Sequence, residues 1–222
     1  MKSKGLTLVS IAVISTMLSG CIVHVGGDRQ RDGESLSSVF GSVDVASGKR
    51  VGDISSVNGG IELDDNVTAE DLDSVNGDIE LGENVVIEDA EVVNGDITAG
   101  KYLHASGDLE TVNGDIKLQQ SGRVDGDVST INGDIEVDDA IVKKSVSTVN
   151  GDITLAGSTR IYGDVVYEKD KNEGWNMGNS RPVLTIARDV IIDGEIILYR
   201  DVELKIANPA IQDKVVHRST HD

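Results

Sequence analysis

The sequence is poor in aromatic residues and in cysteine. Its 222 residues include one Trp, four Tyr and one Phe, too few for an aromatic-anchored core or for a platform on which nucleic-acid bases stack. Cys21 is the only cysteine, so no disulfide can form within the chain. Positive charge is scarce as well. Twenty Lys and Arg face 39 Asp and Glu, a formal net charge of -19, which opposes nucleic acid and anionic lipid surfaces as partners. Such acidity with 38% apolar residues is compatible with disorder unless a regular pattern organises it.

The N-terminus is organised for export. Lys2 and Lys4 precede an apolar run from Leu6 to Leu18, the charged and apolar regions of a secretory signal. The run is too short to span a bilayer comfortably. It ends in Leu18-Ser19-Gly20-Cys21, which resembles the lipobox of bacterial lipoproteins, in which a cysteine is acylated and becomes the new N-terminus. The resemblance implies a signal peptide over residues 1–20 and lipidation of Cys21. Several acyl chains on one residue anchor firmly, because each buried methylene contributes about 0.8 kcal/mol. Ile22 lacks the Asp that resembles an inner-membrane retention signal, which favours the outer membrane with the chain facing the periplasm. Residues 21–38 mix Gly, Arg, Asp and Ser and read as a flexible tether.

An internal repeat occupies most of the remaining chain. VNGGIEL at 57–63, VNGDIEL at 75–81, VNGDITA at 93–99, VNGDIKL at 112–118, INGDIEV at 131–137 and VNGDITL at 149–155 are copies, 18 or 19 residues apart, and a degenerate one starts at Val39. A weaker Gly-Asp echo appears at 51–54, 106–109, 125–128 and 162–165, so each repeat carries more than one short strand. Within a copy apolar and polar residues alternate, the period of a strand. A unit of this length cannot bury an apolar face alone, but it suits one coil of a β-solenoid. The predicted fold is therefore all-β, a single-stranded parallel β-helix over 39–206 with coils of about 18 residues. At ~4.8 Å per coil it would be a rod roughly 40 Å long.

Unbroken alternation places Val57, Val75, Val93, Val112, Ile131 and Val149 in one interior stack and Ile61, Ile79, Ile97, Ile116, Ile135 and Ile153 in another. The Asn-Gly pairs read as bends within a coil, not hairpins, with Gly supplying the conformation. The Asn column from Asn58 to Asn150 is expected to form an amide ladder. A polar insertion at 168–182 holds Trp175, the only Trp and a candidate contact for a glycan or envelope partner; 207–222 reads as a mobile tail.

Chemistry is hard to find in this pattern. Asp78, Asp96, Asp115, Asp134 and Asp152 fall in register. They form either a stripe for hard cations or a solvated acidic face, and the second is the preferred reading. His24, His104, His217 and His221 have no metal-site or nucleophile-base spacing. No carboxylate pair breaks the repeat as a catalytic acid should. Neither an enzyme nor a cofactor is expected.

The V-N-G-D-[IV]-x-[LV] units resemble those of adhesin-like β-strand-repeat lipoproteins of bacteria. Gly122 to Val128 (GRVDGDV) and Val190 to Ile196 (VIIDGEI) resemble bactofilins, polymer-forming cytoskeletal proteins, and that resemblance implies a right-handed β-helix. The expected protein is a lipid-anchored envelope solenoid that acts as a structural or interaction surface. The alternatives are a polymer-forming scaffold associating through its coil ends, since open coil ends are sheet edges, and a cation- or glycan-binding module.

Overall fold

The computed structural model describes residues 23–25, 33–169 and 181–218. The chain winds as a parallel β-solenoid with three faces. Among the described residues the first carries ten strands, from Leu36–Phe40 to Val215–His217, and the second ten, from Val23–Val25 to Glu203–Ile206. The third has six short strands, from Val86–Ile87 to Ile191–Ile192. All strand pairs are parallel, and partners are one coil apart: Ile61 opposes Ile79, and Ile97 opposes Ile116. Asn-Gly is accordingly a bend between the first and second faces.

Identical aliphatics stack along the interior. The isoleucine column from Ile61 to Ile153 is buried, as is the column beside it, Leu63, Leu81, Ala99, Leu118, Val137 and Leu155. Branched side chains repeat because each must pack on its own copy one coil away, at strand spacings of about 4.8 Å. Aromatics are nearly excluded from such a narrow interior. Among the described residues Tyr167 is the one fully buried aromatic.

The valine column beginning at Val57 departs from the expectation. Val57, Val75, Val93, Val112, Ile131 and Val149 are half-buried, and the preceding residues, Ser56, Ser74, Val92, Thr111, Thr130 and Thr148, point inward. The alternation therefore breaks at the bend. The physical reason is the glycine carbonyl of that corner, which needs a donor. Ser56 and Ser74 Oγ donate to Gly59 and Gly77 O at 2.8 Å. Thr111 and Thr130 Oγ1 donate to Gly95 and Gly114 O in the coil below, at 3.1 and 3.0 Å. A small hydroxyl side chain satisfies that acceptor where valine cannot.

The solenoid also extends past both expected boundaries. Val23–Val25 pairs with Val43–Val45, and Leu36–Phe40 pairs with Ile54–Asn58, inside the span read as a tether. Leu36 and Ser38 take the inward positions below Ile54 and Ser56, so the polar composition conceals a coil. The span read as a mobile tail contains helix α1 (Pro209–Gln212) and the strand Val215–His217, which pairs with Ile196–Leu198.

Candidate functional site

Each coil turns at three corners, and the repeated polar residues are concentrated there. At the first corner the Asp column is not free. Asp78 Oδ1 accepts the backbone N–H of Asp96 at 2.9 Å, and Asp96, Asp115 and Asp134 each accept that of the next Asp at 2.7–2.8 Å. Asp152 accepts from Val183 N at 2.8 Å. Each carboxylate satisfies an N–H that the turn removes from the strand ladder, a charge-assisted bond of the stronger kind. One oxygen of every predicted cation-stripe residue is thus already engaged.

The Gly-Asp echo is the third corner, built the same way. Asp108 Oδ1 accepts from Asp127 N and Asp127 Oδ1 from Ser145 N, both at 2.7 Å, and Asp164 Oδ1 accepts from Glu195 N at 2.8 Å. The second corner holds a left-handed residue in every coil from Gly48 to Gly157: Gly48, Asn66, Asn84, Tyr102, Ser121, Asp139 and Gly157. Its variable identity keeps this column out of the sequence pattern, although Gly, Asn and Asp together mark such positions.

The amide ladder is present. Asn94, Asn113, Asn132 and Asn150 each donate Nδ2 to Oδ1 of the Asn below at 2.9–3.0 Å, and Asn76 to Asn58 at 3.3 Å. Arg200 ends it, donating Nη1 to Asn150 Oδ1 and to Val149 O. Among the described residues, no group of three or more His, Cys, Asp and Glu is arranged to hold a metal. A shallow groove of about 400 Å³ at the second corner is lined by Lys101, Lys117, Glu136 and Asp138, a mixture of signs that selects no ligand charge.

Charge is unevenly distributed along the rod. Residues 51–100 contain 14 Asp and Glu and neither Lys nor Arg. On the first face of these coils Asp73, Glu91 and Glu110 stack in register, beside Asp71 and Asp89 at the third corner. Burial pushes the Asp71, Asp73, Glu91 and Glu110 carboxyls above their ordinary range. Neighbouring negative charge adds to this in all four, while the Ser129 hydroxyl partly offsets it at Glu110. Further up, cations appear. Lys144 bridges Asp108 and Asp127 at 3.2 and 3.7 Å, Arg123 pairs with Asp125 at 2.7 Å, and Arg160 forks onto Asp193.

The acidic cluster makes stability depend on pH. At these four carboxyls the folded state binds protons more tightly than the unfolded chain. Their contribution is therefore present in the ordinary carboxylate range, about pH 4, and is lost as pH rises through the raised values. The thermal midpoint followed by circular dichroism is expected to fall as pH rises from the ordinary carboxylate range, about pH 4, to neutrality. A lower midpoint at the acidic end contradicts it.

The third face is closed at its upper end. In lower coils the carbonyls of Thr159, Ile161 and Gly163 accept N–H groups of the coil above. The corresponding carbonyls of the last third-face coil are taken by side chains. Asn208 Nδ2 donates to Val190 O at 3.0 Å, and Lys214 Nζ donates to Ile192 O, Asp193 O and Gly194 O at 2.6, 3.0 and 3.4 Å. Ile211, 3% exposed, joins the end of the core. Nothing in the spacing signals this cap, because it belongs to no repeat.

Cys21 and Trp175, the predicted lipidation site and partner contact, lie outside the described residues, as does His221. His104 is exposed and 3.5 Å from Asp125, and His217 is exposed in the last strand. No described helix is long and apolar enough to cross a membrane. Comparison with known protein families, characterised proteins and solved structures finds no match to this chain.

Proposed function

We propose that the chain is a non-enzymatic, lipid-anchored solenoid of the bacterial envelope, attached to the outer membrane on its periplasmic side, that acts as a structural or interaction surface. The observation that carries this reading is the employment of the repeated polar residues. Asp, Asn, Ser, Thr and Gly, which in another fold would supply a catalytic or metal site, here fasten one coil to the next. What remains for function is the outer surface, with an acidic lower half and a mixed upper half.

The lipobox at Leu18 to Cys21 supports the anchor, and the resemblance to adhesin-like repeat lipoproteins supports the envelope setting. Acidic coils beside an anchor are repelled by anionic headgroups within a Debye length, about 8 Å at physiological salt, which favours a rod standing away from the bilayer. The cap formed by Asn208, Ile211 and Lys214 favours a finite rod over the polymer-forming alternative, because it covers acceptors that another coil would use.

Metabolic labelling tests the anchor. Palmitate label is expected in the wild-type chain and absent from Cys21→Ser, which moves to the soluble fraction. A labelled Cys21→Ser chain, or one still pelleting with membranes, overturns the proposal.

A further inference from the structure

Six Asn-Gly junctions occupy one column, at 58–59, 76–77, 94–95, 113–114, 132–133 and 150–151. Asn-Gly is chemically vulnerable because glycine, lacking Cβ, lets its backbone nitrogen approach the neighbouring amide carbon. Five junctions are held closed. Gly59, Gly77, Gly95, Gly114 and Gly133 each donate N–H to the Asn carbonyl of the coil above, at 2.9–3.0 Å. Gly151 is different. The ladder at that corner stops with Glu168 N donating to Thr148 O at 2.8 Å, and Gly151 N–H has no acceptor among the described residues.

The same junction has a second singular feature. Oδ1 of each lower Asn accepts from the Asn above, whereas Asn150 Oδ1 accepts from the Arg200 guanidinium. Attack on the amide carbon places negative charge on Oδ1, and a fixed cationic donor on that oxygen stabilises such charge.

From these two differences we infer that Asn150 is a self-modification site, deamidating through a cyclic imide in the folded protein. Gly151 N loses its proton to hydroxide and bonds to Asn150 Cγ, with Arg200 holding the developing oxyanion. The Cγ–Nδ2 bond then breaks, and the nitrogen takes a proton from water and leaves as ammonia. Water opens the five-membered imide at either carbonyl, leaving Asp or β-linked Asp. The product carboxylate sits beside Arg200, turning an amide contact into an ion pair. The β-linked form lengthens the backbone where Gly151 packs against the Gly133 carbonyl.

The test is peptide mapping by mass spectrometry of the full chain kept in mildly alkaline buffer, folded and in urea. In the folded protein Asn150 is expected to react about tenfold faster than each of the other five, the effect of one backbone hydrogen bond on the barrier. In urea the six rates converge. Equal rates in the folded protein, a different leading junction, or no reaction at Asn150 on the timescale seen in urea overturns the inference. Arg200→Met is expected to slow Asn150 and leave the other five unchanged. Acceleration confined to Asn150 contradicts the role given to Arg200.

Discussion

Gly133→Ala is expected to destabilise the rod by about 3 kcal/mol or more, at the upper end for an overpacked site. A Cβ on Gly133 would overlap the carbonyl carbon and oxygen of Gly114, and the nearest atoms are backbone, which cannot swing aside as a side chain can. The obstruction is also propagated, since Gly114 packs on Gly95 and Gly151 on Gly133 in the same way. Displacing one corner displaces its neighbours. Gly48→Asn is the matched control. Gly48 has a φ of +74° and open space where a Cβ would sit, and Asn tolerates the left-handed conformation, so its change should stay within about 0.5 kcal/mol. Urea denaturation of both variants decides the matter. A Gly133→Ala midpoint equal to wild type would show that the corner has slack, contrary to this packing.

Tyr167→Phe is expected to cost about 2 kcal/mol or more, although it removes a single oxygen. The hydroxyl accepts the N–H of Ile153 and donates to the carbonyl of Val183, both at 3.0 Å. In lower coils the corresponding N–H groups bond to the coil above: Ile116 N donates to Asp134 O and Ile135 N to Asp152 O. The equivalent acceptor for Ile153 N is Val183 O, since Ile153 pairs with Leu184, and Tyr167, inward at the position held by Thr148 one coil below, places its hydroxyl between the two. Burial raises the hydroxyl's pKa above its ordinary value, keeping it protonated and able to donate. Phenylalanine fills the space but leaves one donor and one acceptor without partners. Faster amide exchange at Ile153 in the variant would locate the loss. An unchanged midpoint and exchange rate would show that water replaces the hydroxyl at no cost.

Gly133 and Tyr167 differ in how far the sequence alone discloses them. The glycine column is legible because the close approach recurs once per coil and admits only one residue type. Its Asp and Asn companions are legible for the same reason, although the direction of their bonds, carboxylate to the next coil's N–H and amide to the next amide, is visible only in three dimensions. The inward hydroxyls escape the pattern because Ser, Val and Thr alternate at one position. A valine beside them looks more suitable for a core than a serine does, and only the carbonyl at the bend reverses that preference. Tyr167, Arg200, Asn208 and Lys214 each act at a single place. Residues that repair an interruption or end a repeat have no period, so periodicity cannot find them.

The acidic residues divide in the same way. Net acidity is evident from composition, yet composition does not distinguish carboxylates that fasten corners from those that crowd one another. Asp134 accepts a backbone N–H at its corner, whereas Glu91 lies between Asp73 and Glu110 on the face of a sheet. The first is part of the scaffold, and the second adds to the surface potential.

Polar columns fasten every coil, and a cap over the upper edge of the third face favours a finite rod over end-to-end assembly. Sedimentation velocity of a soluble form beginning at Ile22, over a wide range of protein concentration, tests this most directly. The predicted result is one elongated monomer, about 45 Å along the coil axis at ~4.8 Å per coil, with larger species only when Ile211→Asp and Lys214→Met together remove the cap. Concentration-dependent filaments formed by the unaltered chain would contradict it.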